Sequence, residues 1–172
     1  LLPGPNPVKD LERRVWDRVR GIVAPTYVPV TPVRASATSQ LDDHPAMDVI
    51  DGATNTWWSE GVTGLGTGER LTIELSRPTH VVQVGVWSGT TRNEKEFRSE
   101  PRPRTLFLRF SDGSSKAPVT ESIELTDGPD YQTFSVDAPN ATTVEIDVLD
   151  AYPSAVGQDT SIAEVEFFTT KS

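Results

Sequence analysis

Two periodicities divide the chain. Between residues 10 and 23 apolar side chains recur at helical spacing, with Leu11, Val15, Val19 and then Ile22 or Val23 on one face and Arg13, Arg14, Arg18 and Arg20 on the others. Asp10 is placed to N-cap this helix and Pro25 to end it. The next six residues, Tyr27-Val28-Pro29-Val30-Thr31-Pro32, read as a stiff tether spaced by prolines, while residues 1–7 read as an extended or disordered lead-in. Beyond Pro32 the period changes to two. Leu71, Ile73 and Leu75 alternate with polar neighbours, as do Val82, Val84 and Val86, and Leu106 and Leu108. Strands are predicted at 33–39, 70–75, 80–87, 104–110, 122–125, 132–136, 142–149 and 161–168, with Ser111-Asp112-Gly113-Ser114 as a hairpin turn. Eight short one-sided strands without crossover helices predict an all-β fold: an eight-stranded antiparallel jelly-roll sandwich. The chain divides into a short N-terminal amphipathic helix and proline-rich tether at 1–32 and the sandwich domain at 33–172.

Composition narrows this picture. With 172 residues and 35% hydrophobic content, the chain is long enough for one well-packed core. No apolar run approaches the roughly 20 residues of a membrane span, and no basic-then-apolar secretory pattern opens the sequence, so membrane contact is expected only through a segment upstream. The absence of cysteine removes thiol catalysis, Cys-type zinc sites and disulfides. Charge is uneven. Residues 1–34 carry six Lys or Arg against three Asp or Glu, and the remainder ten against twenty-two, so +3 and −12. An acidic body lacks the basic stripe that a nucleic-acid surface needs. For the basic helix two readings stand: its stripe with Trp16 docks on the domain or a second copy, or it is a juxtamembrane segment with arginines near anionic headgroups.

The most distinctive stretch is Val49-Ile50-Asp51-Gly52-Ala53-Thr54-Asn55-Thr56-Trp57-Trp58-Ser59-Glu60. Asp-Gly supplies turn geometry, the Thr and Asn side chains supply oxygens that cap backbone donors or ligate a hard cation, and the indoles supply apolar area. Nothing in the sequence assembles a reaction. His44 and His80 are the only histidines and neither has a nucleophile beside it. The glycines from 61 to 68 lead into a strand rather than a helix, so they form no phosphate loop. A hydrolase whose acid and base meet only in the fold is the one enzymatic reading left, and a non-catalytic domain is expected.

The order Ala35-Ser36-Ala37-Thr38-Ser39, Val49-Ile50-Asp51-Gly52, Thr56-Trp57-Trp58-Ser59, Leu71-Thr72-Ile73-Glu74-Leu75 and Ile162-Ala163-Glu164-Val165-Glu166-Phe167 resembles the discoidin, or coagulation-factor C-type, family of galactose-binding-like domains. The stretch Trp87-Ser88-Gly89, with Phe97, Arg102-Pro103-Arg104 and Ser111-Asp112-Gly113, is similar to domains at the extracytoplasmic ends of actinobacterial membrane proteins. The resemblance implies a jelly roll, often with a structural calcium near the Asp-Gly loop. By position it implies Asp51, the Ala53 carbonyl, Thr56 and Glu164 as ligands. Ala53 stands where many relatives have a second Asp, and the competing reading is a metal-free clasp in which Asp51 and Glu164 bond to loop N–H groups.

The resemblance also implies ligand binding on loops at one end. The corresponding segment, 88–104, is basic on an acidic domain. Aromatic faces and planar polar groups suit sugars, which makes Trp57, Trp87, Arg92, Asn93, Phe97 and Arg98 the expected contacts. Against that, the segment reads equally as a solvated loop, with Phe97 folded back as an anchor and Trp58 and Trp87 in the core. The expectation is a binding module for carbohydrate, such as cell-envelope glycan, presented outside the cell from a membrane-anchored protein. The alternative is a protein-interaction or scaffold domain without a sugar site.

Overall fold

The structure, a computed structural model, describes residues 26–90 and 93–171. The predicted helix at 10–23 and the lead-in before it lie outside the described residues, as does Arg92. Eight strands follow in order: β1 (Tyr27–Val30), β2 (Pro32–Ala37), β3 (Trp58–Ser59), β4 (Arg70–Ser88), β5 (Arg102–Ser111), β6 (Val119–Glu124), β7 (Gln132–Tyr152) and β8 (Ser161–Thr170). A 3₁₀ turn at Ala46–Ile50 and one helical turn, α1 (Glu94–Phe97), interrupt them. All strand pairs are antiparallel, in the order β1-β8-β4-β7-β5-β6, with β2 beside β4 and β3 beside β8.

The organising pair is β4 with β7. They run together from Arg70 opposite Asp147 to Val86 opposite Gln132, with register shifts between Glu74 and Thr79 and between Val81 and Gln83. Bulges bend strands and sharpen their twist, so each long strand serves both layers of the sandwich. The first half of β4 takes β2 on its free edge and the second half takes β8. β5 and β6 extend the first layer through β7, while β1 and β3 extend the second through β8. Between the layers one apolar cluster gathers Leu71, Ile73, Val84, Val86, Leu106, Leu108, Val144, Ile146, Val165 and Phe167, all buried. Each such side chain contributes about 1.5–3 kcal/mol on leaving water.

Three expectations change. The strands predicted at 70–75 and 80–87 are halves of β4, and those at 132–136 and 142–149 are halves of β7; their polar middles are bends, with Asn140 at φ 57° in the second. Residues 27–32 are not a tether: Tyr27–Val30 pairs with Thr170–Phe167 as an edge strand, so the sandwich begins before Val33. Pro29 is tolerated there because an edge strand need not donate on both sides. Val82 also gives way to Val81 as the buried residue, because the shift after Val81 flips the alternation.

The bends have a functional consequence. Both ends of β4 and of β7, and the starts of β5 and β8, meet at one end of the sandwich, whose connections are 38–57, 60–69, 89–101, 125–131 and 153–160. The opposite end holds the strand bends together with Thr26 and Lys171, where the Lys171 N–H donates to the Thr26 carbonyl at 3.2 Å.

Candidate functional site

The Asp-Gly loop folds as a self-bonded unit. Asp51 accepts from the Ala53 N–H through Oδ1 (2.8 Å) and from the Thr56 hydroxyl through Oδ2 (2.8 Å), and that hydroxyl also lies 3.2 Å from the Ala53 carbonyl. Gly52, at φ 75°, makes the turn that a side chain would strain. Trp58 anchors the loop exit: it is fully buried and its indole N–H donates to the Ser39 carbonyl at 3.0 Å. β3 then pairs with the start of β8, which brings the loop over Glu164.

Glu164 accepts a hydrogen bond from the Gly52 N–H and is only 5% exposed, yet its Oε2 has no hydrogen-bond partner. Burial pushes its carboxyl up to about 8, the Gly52 bond opposes this, and the nearby Asp51 and Glu166 carboxylates raise it further. A buried carboxylate oxygen without a partner, beside Asp51, a loop carbonyl and a hydroxyl, fits a hard cation such as calcium in donor chemistry. Among the described residues no group of three or more His, Cys, Asp or Glu side chains is arranged to hold a metal. Such a cation would therefore depend on backbone and hydroxyl oxygens beside two carboxylates.

The loop end is assembled by crosslinks between distant segments. Glu60, completely buried, accepts from the Val62 N–H (2.8 Å) and the Thr160 N–H (3.3 Å), and its own N–H donates to the Thr160 carbonyl. Burial raises its carboxyl pKa, partly opposed by those two N–H groups. Gly66 leaves the space its side chain occupies. Gly157 N–H donates to the Ser99 carbonyl (2.8 Å), and Ser161 N–H to Pro101 (3.2 Å), locking 153–161 against 99–101. On this frame His44 and Trp57 stack at 4.4 Å between ring centroids, 22° from parallel. Glu100 lies against Gly157 and feels both Asp159 and His44; burial first, then Asp159, raises its carboxyl pKa while His44 lowers it. Among the described residues no hydrogen bond engages the Glu100 or Asp159 carboxylate.

The segment 88–104 is less basic in space than in sequence. Arg102 is buried, donates to both oxygens of Asp127 at 2.8 Å, and lies over the Phe97 and Tyr152 rings at 5.1 and 5.8 Å. Arg98 pairs with Glu94 (3.5 Å) and approaches Asp127 (3.8 Å), and Arg104 pairs with Asp150 (3.5 Å). Phe97, expected to face a ligand, is 0% exposed; Gly89 leaves room for its ring and for Arg102. Asn93 is the N-cap of α1, its side-chain oxygen accepting from the Glu96 N–H at 3.0 Å. Trp87, on β4 opposite Glu164, tilts against Tyr131 at 5.1 Å, and Tyr131 lies across Gly85 with its hydroxyl donating to Glu166.

Of the expected contacts, the structure brings Trp57 to an aromatic partner at the loop end, gives Asn93 and Arg98 local partners, and folds Phe97 inward. It adds His44, Glu100 and Asp159, which no local pattern marked, and Glu60, which closes the distinctive stretch without a role assigned to it there. The only signal in the sequence was glycine, since Gly66 and Gly157 make room for two of the four.

An antiparallel jelly roll whose loops gather at one end, with an Asp-Gly clasp over the last strand, is a discoidin-like, galactose-binding-like domain. The chain belongs to the NAD glycohydrolase translocation F5/8 type C domain family, whose sequence model matches residues 26–168. Among solved structures it is similar to the family 32 carbohydrate-binding module of C. perfringens NanJ in complex with galactose, at 19% identity over 84% of this chain and 100% of that one, TM-score 0.66. It is also similar to an F5/8 type C domain of Bacteroides fragilis, at 16% identity over 83% and 98% of the two chains, TM-score 0.62. A Clostridium perfringens family 32 module in complex with GalNAc-β-1,3-galactose aligns at 21% identity over 79% and 94%, TM-score 0.61. At these identities the likeness is one of fold. Among curated proteins none matches the sequence.

Proposed function

We propose that the domain is a non-catalytic carbohydrate-binding module that holds a glycan at its loop end. The observation that carries this reading is the stacked Trp57 and His44 pair beside the Glu100 and Asp159 carboxylates. A ring face takes the C–H side of a pyranose, and carboxylates accept from vicinal hydroxyls, so the two together orient a sugar. The galactose and GalNAc-β-1,3-galactose complexes of similar folds support the ligand class. Arg92, outside the described residues, remains an expected contact.

Calcium belongs to the same proposal as a structural ion at Asp51, the Ala53 carbonyl, Thr56 and Glu164. When bound it neutralises the crowded carboxylates and ties the loop to β8, one residue before the Trp57 and Trp58 pair. The proposed setting is extracytoplasmic, with the domain attached through the end that holds Thr26, so that the glycan end points away from the attachment.

Isothermal titration against a panel of neutral and envelope glycans, in calcium, tests the reading. Trp57→Ala is expected to abolish measurable binding and Glu100→Gln to weaken it about fivefold, as a charged acceptor becomes a neutral one. Asp112→Asn, at the opposite end, is the control. Absence of binding to every glycan, or unchanged affinity in both loop-end variants, sinks the sugar site; a protein partner that stays bound after glycosidase treatment would then favour the interaction-domain alternative.

A further inference from the structure

We propose that Met47 is a peroxide-oxidation site whose sulfoxide loosens the connection between β2 and β3. Met47 carries the only sulfur in the chain, since 172 residues include one methionine and no cysteine. It is 46% exposed, so an oxidant in solution reaches it, yet its sulfur is already in use. Among the described residues β2 pairs with β4 alone, and on its other edge the N–H of the buried Ala35 donates to Met47 Sδ at 3.2 Å. The edge of a sheet leaves backbone donors that something other than a strand must satisfy. Here a polarizable sulfur lone pair does so.

The contact holds down a segment on which the loop end depends. The 3₁₀ turn Ala46–Ile50 packs against β2 in one layer and β8 in the other, with Ala46 and Val49 buried. Just before it, the His44 carbonyl accepts from the Ser59 N–H at 3.3 Å and the Ala46 N–H donates to Gln40 Oε1 at 2.9 Å. Just after it come Asp51 and Gly52. Along the chain Met47 therefore stands between the ring that stacks on Trp57 and the turn that lies over Glu164. In the oxidation a sulfur lone pair attacks one oxygen of a peroxide: the O–O bond breaks, an S–O bond forms, and with hydrogen peroxide the departing hydroxide takes the proton of the transferred oxygen and leaves as water. Sulfur loses two electrons and the peroxide gains them, and an apolar thioether becomes a polar, chiral group. An N–H···O bond needs about 2.9 Å by itself, so the 3.2 Å between Ala35 N and Met47 Sδ has no room for the new oxygen. Either the oxygen sits on the solvent side and the electron-poor sulfur stops accepting, or the turn withdraws from β2. Both outcomes free the Ala35 N–H. No ligand takes part, so the inference stands or falls separately from the sugar reading.

The experiment treats the full 172-residue chain with millimolar hydrogen peroxide and follows peptide mass maps, the Ala35 amide by NMR and the melting temperature. One oxygen atom should add at Met47 ahead of any tryptophan, at about half the rate seen in the urea-unfolded chain, as its 46% exposure predicts. Oxidation should move the Ala35 amide resonance and speed its hydrogen exchange about fivefold, the effect of losing one backbone hydrogen bond. It should also lower the melting temperature by about 2–4 °C, the shift that such a loss causes in a chain of this size. Methionine sulfoxide reductases should reverse all of these changes. Met47→Leu keeps the apolar bulk without the sulfur, so its Ala35 amide should exchange at the oxidised rate from the outset and peroxide should change nothing. Oxidation of a tryptophan ahead of Met47, full protection of Met47 in the folded chain, or an oxidised protein whose Ala35 amide and melting temperature match the parent's overturns the proposal.

Discussion

Glu164 offers the sharpest test of how the Asp-Gly clasp is stabilised. Its carboxyl stands at about 8 in the fold against 4.5 ordinarily, so without metal the folded state holds a proton that the unfolded chain has released over that interval. Where the folded state binds more protons, stability falls as pH rises. The contribution is complete below about pH 4.5 and is lost progressively as pH rises to about 8. The full interval of 3.5 units corresponds to about 5 kcal/mol at 1.36 kcal/mol per unit, of which about 3 kcal/mol is gone by pH 7. Glu164→Gln keeps the acceptor for the Gly52 N–H and removes the ionisation. Urea unfolding in chelator from pH 5 to 8 should therefore show the parent losing stability while Glu164→Gln stays nearly level, becoming the more stable of the two at pH 8. Calcium should reverse the order by favouring the ionised carboxylate, with a stabilisation that grows with pH. A parent whose stability is flat over this range in chelator would refute the buried, proton-bearing Glu164. Indifference to calcium at pH 8 would refute the metal half alone.

Two further perturbations probe the frame. Asp127→Asn leaves the buried Arg102 guanidinium without its carboxylate and should cost about 3–5 kcal/mol in urea unfolding, with partial recovery in an Arg102→Met/Asp127→Asn double variant. Gly85→Ala places a methyl where the Tyr131 ring lies and should cost about 1–3 kcal/mol; a near-ultraviolet circular dichroism change from the displaced Trp87 and Tyr131 pair should accompany it, and neutrality would show that Tyr131 is not held against the strand.

Much of the sandwich was legible because a strand writes its buried face into alternate residues. Leu71, Ile73, Leu106 and Leu108 point inward as their alternation predicts. The reading failed where the backbone departs from ideal pleating. The shift after Val81 exchanges the buried valine, and no residue pattern announces that 70–75 and 80–87 are one bent strand. The proline-spaced 27–32 looked like a tether because an edge strand with one free side tolerates prolines that a central strand excludes. The loop residues divide in the same way. Asp51, Ala53 and Thr56 sit within six positions of one another and the turn they bond is a local structure, so sequence proximity exposed it. Phe97 takes the inward alternative, which rests on its contact with Arg102, and the charge of Arg98 and Arg102 does not reveal along the chain that Glu94 and Asp127 stand beside them.

The all-β class, the alternating segments of the core and the Asp-Gly turn are written in residues close together along the chain. What faces what across the loop end follows from the fold. Glu60 meets Thr160 one hundred positions away, Ser59 meets Ser161, and Glu100 reaches His44 and Asp159. Those meetings depend on two long strands bending so that four of their ends share one side.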